Sequence, residues 1–360
     1  MEASNGEGRP AANASGGAGG NGNGNGSGNG AARAELMEKV LYEVKKIVVG
    51  QDHFLERVLV AILANGHLLV EGVPGLAKTL TIKTLAESVQ GSYRRIQFTP
   101  DLVPADLVGT RIYNQKTGEF STSPGPVFTN LLLADEINRA PAKVQSALLE
   151  VMQEYQVTIA GKSYKVPRPF LVMATQNPIE TEGTYPLPEA QVDRFMMKVI
   201  VGYPSEDEEF VIVERITGIP EAVGAVASTE QLLALQARTR KVYVDPSLMR
   251  YAVKLSSASR DPGRAGLGEL SRYILYGASP RATIHLVEAS KALALLRGRD
   301  YVHPQDLIDL VPDVLRHRLV LSYEAVVDSV SSDEILARIM EWIPAPEAPM
   351  ESHVELRADT

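Results

Sequence analysis

Short apolar segments alternate with amphipathic helical segments up to about residue 203, and beyond it helix start signals continue while strands stop. These two observations predict an α/β protein, with a five-stranded parallel sheet flanked by helices and a C-terminal all-α domain. A third bounds the ends. Residues 11–32 are almost wholly Gly, Asn, Ala and Ser, and the chain from 343 is rich in Pro, Glu and Ala. Neither stretch carries apolar side chains enough to offset the entropy of ordering. The expected division is a disordered tail over 1–33, an α/β domain over 34–203, a helical domain over 204–343 and a flexible tail over 344–360.

The five expected strands cover 67–72, 93–99, 130–137, 169–177 and 194–202. Several are apolar on both faces, as strands of a covered parallel sheet are. In the second unit, Ser205 with Glu208 and Ser228 with Gln231 have capping-box spacing. Asp245-Pro246 and Ser279-Pro280 place an N-cap before a helix-entry proline.

Of the 360 residues 44% are hydrophobic and 22% charged, enough for a sizeable core. No cysteine is present, which excludes disulfides, thiol nucleophiles and Cys-bound zinc. A net charge of −8 argues against binding nucleic acid through the whole surface, which requires a field of Lys and Arg. The apolar runs 58–64 and 131–134 fall far short of the ~20 residues of a membrane span. The amino-terminal residues have no basic segment followed by an apolar one, so no secretory signal is expected and the location expected is cytoplasmic.

The chemistry concentrates in five segments. The first expected strand runs into GVPGLAKTL (72–80) and then a helix with Leu80, Ile82, Leu85 and Val89 as its apolar face. A strand, Gly-rich loop and helix in that order cradle phosphate. Gly72, Pro74, Gly75, Leu76, Ala77, Lys78, Thr79 and Leu80 would bind nucleotide. Lys78 would neutralise the β/γ oxygens and Thr79 would hold Mg²⁺. Ala77 stands where the general pattern has glycine, which is tolerable if its φ is negative. In LLLADEINRA (131–140) a strand ends in two carboxylates, at the edge where ligands of open α/β sheets bind. Asp135 would complete the Mg²⁺ shell and Glu136 would orient or deprotonate water. Asn177 ends a third strand with a neutral amide suited to the water or the γ-phosphate.

Arg194, in PEAQVDRF (188–195), lies where a helix leads into the last strand, and is expected to act as an arginine finger in a neighbouring subunit's site. A cation favours a helix C-terminus in any case. Arg281, in GASPRATIHLV (277–287), stands in a helix first turn, where a cation opposes the dipole. The misfit implies a positional demand, and Arg281 is expected to reach nucleotide phosphate across the gap between the two domains.

These five segments in this order resemble the AAA+ superfamily. The wording VVGQD (48–52), GVPGLAKT with its alanine, 132–154, 174–195 and VLRHRL (314–319) resembles the MoxR family within it, over about 36–342. The resemblance implies ATP and Mg²⁺ as cofactors, ATP hydrolysis, and Val49 and Gly50 beside the adenine. It also implies a hexameric ring that remodels a protein client, with a von Willebrand A domain protein as a possible partner. By the same resemblance, about 109–127 is a helix-two insert turning at Lys116-Thr117-Gly118. About 156–168 is a pre-sensor hairpin turning at Ala160-Gly161-Lys162. Both would face a pore. The alternatives are a nucleic-acid motor, weakened by the acidity but kept open by Lys162, Lys165 and Arg168, and a chelatase-type metal-insertion subunit.

Overall fold

The computed structural model describes residues 27–73, 75–116, 118–178, 183–218 and 221–346. Pro74, Thr117, most of the expected amino-terminal tail and most of the carboxyl-terminal tail lie outside the described residues. In chain order the elements of the first unit are α1 (Ser27–Ile47), α2 (Asp52–Ala64), β1 (Leu68–Glu71), α3 (Lys78–Ser88), β2 (Tyr93–Gln97) and α4 (Pro104–Val108). There follow β3 (Gly109–Asn114), β4 (Glu119–Pro124), β5 (Leu131–Asp135), α5 (Ala142–Glu154), β6 (Gln156–Ile159) and β7 (Lys162–Lys165). The unit closes with β8 (Leu171–Gln176), α6 (Glu189–Val192) and β9 (Met197–Ile200). The second unit contains α7 (Glu206–Thr217), α8 (Thr229–Thr239), α9 (Pro246–Arg260), β10 (Ile274–Tyr276), α10 (Pro280–Leu296) and α11 (Pro304–Leu315). It ends with β11 (Val320–Leu321), α12 (Tyr323–Val327) and α13 (Ser332–Trp342).

All five expected strands enter one parallel sheet of order β2-β5-β8-β1-β9. Their alternating side chains divide the interior. Leu68, Val70, Leu131, Leu133, Leu171 and Met173 face one apolar core, and Leu69, Leu132, Ala134, Val172 and Ala174 face the other. The first core does not stop at the sheet, because Ala292, Leu293, Leu310, Val311 and Val314 of the helical unit belong to it. A buried ion pair reinforces the join. Arg57 of α2 donates Nε to Asp313 of α11 at 2.6 Å and Nη2 to the Asp309 carbonyl at 2.7 Å.

The capping expectations correspond to hydrogen bonds. Ser205 and Ser228 accept from the backbone of Glu208 and Gln231, and Asp245 and Ser279 cap α9 and α10. A two-stranded antiparallel ribbon, β10 with β11, adds to the helical unit. Helix α1 begins at Ser27, inside the segment expected to be tail. The helix formers of AARAEL (31–36) extend it backwards, so the tail boundary of 33 is corrected. The two expected hairpins are β3–β4 and β6–β7, joined by Thr122 Oγ1 and Tyr164 Oη at 3.0 Å. No helix among the described residues is long and apolar enough to cross a membrane.

Candidate nucleotide site

The loop between β1 and α3 starts at Gly72, where a Cβ would lie 2.6 Å from the Val201 carbonyl oxygen, so only glycine fits. Gly75 follows at φ +88°. Ala77 has φ 54° and ψ 15°, which corrects the expectation of a negative φ. The left-handed region costs a residue with a Cβ about 1–2 kcal/mol. Here the Ala77 carbonyl accepts from the Thr81 backbone at 2.9 Å and from the Thr81 hydroxyl at 3.0 Å, which holds the residue in place. Leu80 is corrected too. It is 38% exposed at the site, whereas Ile82, Leu85 and Val89 are buried.

At the carboxyl edge of the sheet, Gly72, Gly75, Leu76, Ala77, Lys78, Thr79 and Leu80 line one cavity of about 370 Å³ with Asp135, Glu136 and Asn177. Lys78 donates to the Gly72 carbonyl, and burial lowers its pKa, opposed by the charges of Asp135 and Glu136. Glu136 is a second left-handed residue, at φ 55°. Its backbone N–H donates to Thr175 Oγ1 at 2.9 Å, and its carboxylate accepts from Gln97 at 2.6 Å and pairs with Arg139 at 3.1 Å. Two residues that line this cavity, Ala77 and Glu136, thus sit in the left-handed region, and strain of this kind clusters at functional sites.

The sequence reading missed three residues here. Thr175 donates to Asp135 Oδ1 at 2.5 Å, Arg95 pairs with Asp135 Oδ2 at 2.7 Å, and Gln97 holds Glu136. They meet because β2, β5 and β8 are adjacent, an order that local sequence does not encode. Thr79 and Asp135 offer a hydroxyl and a carboxylate in the same cavity. This hard oxygen-donor set suits Mg²⁺ shared with phosphate oxygens. Val49 and Gly50 do not line this cavity. They form the corner between α1 and α2, and the adjacent Gln51 donates to the Gly202 carbonyl at 3.1 Å, at the carboxyl end of β9.

Arg194 and Arg281 lie elsewhere. Both line a second cavity, of about 470 Å³, with His67 and Met196, the residues just before β1 and β9. This is the amino edge of the sheet, separated from the phosphate loop by β1, whose four residues span about 13 Å. The structure therefore corrects the expectation that Arg281 reaches the nucleotide held by its own chain. Arg281 Nη1 instead lies 3.3 Å from Asp193 Oδ2, and the same carboxylate accepts from Ser279 Oγ at 3.0 Å and from Arg318 Nε at 2.7 Å. Asp193 and Arg318 were also missed as individual residues, although both fall within the segments that carry the resemblance.

A family model described as "ATPase family associated with various cellular activities (AAA)" matches residues 67–197, and one described as "AAA lid domain" matches 270–339. The chain is 52% identical to Chaperone MoxR1 of Mycobacterium tuberculosis, over 90% of this chain and 86% of that one. It is 33% identical to Protein MoxR of Methylorubrum extorquens, over 84% of this chain and 93% of that one. Among solved structures it is similar to one described as a "putative ATPase" from Cytophaga hutchinsonii. The TM-score is 0.84 at 46% identity, covering 89% of this chain and 98% of that chain.

Proposed function

The chain belongs to the MoxR family of AAA+ ATPases and is an ATP hydrolase, and from that premise we propose that it hydrolyses ATP between subunits of a cytoplasmic hexameric ring and couples the cycle to remodelling a protein client. In this reading the loop amides and Lys78 hold the triphosphate. Thr79 and Asp135 hold Mg²⁺, which when bound neutralises phosphate charge. Glu136 takes the proton of the attacking water, and Asn177 orients that water or the γ-phosphate. Val49 and Gly50 bound the adenine side.

One observation carries the ring. The phosphate loop, Asp135, Glu136 and Asn177 share the carboxyl-edge cavity, while Arg194 and Arg281 share the amino-edge cavity. A γ-phosphate in the first cavity lacks both guanidiniums unless a neighbouring copy presents its amino edge. Arg194 and Arg281 then both serve the neighbour's nucleotide. The client reading is supported by the hairpin β3–β4, where exposed Tyr113 packs at a tilt against exposed Phe120, ring centroids 5.0 Å apart, and Arg111 lies 4.6 Å over the Phe120 ring. Such a surface fits a polypeptide, and a von Willebrand A domain protein is the proposed partner.

The test mixes two inactive variants. Arg194→Ala has a sound phosphate loop and no finger, and Lys78→Ala is the reverse. Each alone should lose on the order of 10³-fold in kcat. Mixed and allowed to exchange, they should recover activity above both parents, dependent on protein concentration. Full activity of Arg194→Ala alone would exclude the finger.

A further inference from the structure

Arg318 is buried, with its side chain only 1% exposed, and it comes from the helical unit. It nonetheless directs most of its donors to the short segment of the sheet domain that contains Arg194, while Nη1 also donates to the Val314 carbonyl within its own unit. Nη2 donates to the Asp193 carbonyl at 3.1 Å and to the Phe195 carbonyl at 2.6 Å, and Nη1 donates to the Met196 carbonyl at 3.3 Å. Nε donates to the Asp193 carboxylate at 2.7 Å. The backbone is thus gripped immediately before and immediately after Arg194. His285 of α10 accepts from Arg318 Nη2 through Nδ1 at 2.7 Å, a further contact between the guanidinium and the helical unit.

Asp193 closes the arrangement, because it also accepts from Ser279, the N-cap of α10, and pairs with Arg281 in the first turn of that helix. A guanidinium fork satisfied by four carbonyls, those of Asp193, Phe195, Met196 and Val314, and a carboxylate has one orientation, unlike an ammonium at the same place. No atom of Arg318 lines the cavity that Arg194 and Arg281 share.

We infer that Arg318 is a positioning residue for the two arginines. With Asp193 it locks Arg194 and Arg281 into one unit, so that the helical domain sets where the finger points in the neighbouring site. The inference rests on the proposed action of Arg194 on a neighbour's nucleotide. A movement of the helical unit in one subunit would then be felt directly at the next subunit's γ-phosphate. A displacement of about 1 Å is enough to cost a positioned group on the order of 10²-fold in rate.

The experiment again mixes subunits of the full chain, with ATP turnover as the readout. Arg194→Ala subunits supply sound phosphate loops. The finger comes from Lys78→Ala in one mixture and from the double variant Lys78→Ala/Arg318→Met in the other. The first mixture should recover hydrolysis, and the second should recover on the order of 10²-fold less, although both finger donors still carry Arg194. The Arg318→Met single variant should bind a fluorescent ATP analogue with unchanged affinity, since its own phosphate loop is intact. Equal recovery in the two mixtures would overturn the inference, whatever Arg318→Met does to thermal stability. If the first mixture fails to recover, action on the neighbour falls and the positioning role falls with it. Asp193→Asn, which keeps the shape and removes the charge, replaces Arg318→Met should that variant not fold, and should show the same selective loss.

Discussion

Lys78 donates its ammonium to the carbonyl oxygen of Gly72 at 2.5 Å, so the cation that ends the phosphate loop also ties it to its first residue. Lys78→Ala removes the charge and the tie together. Affinity for ATP should fall by about two orders of magnitude, the worth of a charge-assisted contact with phosphate. Calorimetric titration checks this, and near-normal affinity would sink the assignment of the loop.

Glu136 is held by Gln97 and Arg139 and by its own backbone bond to Thr175. In Glu136→Gln the amide can still orient a water but cannot accept its proton. ATP binding should persist, with kcat lower by roughly 10²–10⁴-fold. Turnover close to that of the unaltered protein would move the base elsewhere.

Ala77 sits at φ 54°. Ala77→Gly relieves about 1 kcal/mol of left-handed strain but gains a similar freedom in the unfolded chain. Its unfolding free energy from urea titration should therefore stay within about 0.5 kcal/mol of the original, with ATPase activity kept. Ala77→Val places a branched side chain in the same region and should destabilise the loop and weaken ATP binding. Equal behaviour of the two variants would mean that the loop does not hold this conformation in solution.

Burial lowers the pKa of His67 to about 4 and of His285 to about 3, and pushes His317 well below its usual range. Val172 N–H donates to His67 Nδ1 at 3.1 Å while Nε2 faces the Met152 carbonyl at 3.1 Å, an arrangement only the neutral ring satisfies. Between pH 6.5 and 4 the unfolded chain takes up protons that these folded rings refuse. Stability is therefore retained above about 6.5 and lost as pH falls, by about 1.4 kcal/mol per pH unit per histidine. Urea unfolding at pH 7 and pH 5 measures the slope. His67→Gln should reduce that slope by about one proton, and an unchanged slope would exclude His67 as a source.

The carboxyl-edge site was legible because its parts are local. GVPGLAKT is a loop whose chemistry lies in consecutive residues, and Asp135, Glu136 and Asn177 end strands that announce themselves by apolar runs. Caps such as Ser205 with Glu208 are legible for the same reason, since donor and acceptor lie three residues apart. The φ of Ala77 was not legible, because it goes with the way the loop closes onto α3, where the Ala77 carbonyl accepts from the backbone and hydroxyl of Thr81. Nor was the edge occupied by Arg281. A cation in a first turn indicates a demand without saying where it is met, and the answer depends on how α10 packs against residues 193–196, some 85 positions away. Arg95 and Thr175 escaped for a related reason, since they become partners of Asp135 only through strand order.

The apolar core shared by Leu133 and Met173 of the sheet with Leu293 and Leu310 of the helical unit bears on modularity. A chain ended near residue 203 would keep α2 and α3 against this face of the sheet but expose to water the part of the core that α10 and α11 cover, so the nucleotide-binding half should lose much of its stability as an independent fragment. Swapping the helical half for that of a distant relative would have to replace both sides of this seam at once. The two halves can be engineered only as a matched pair.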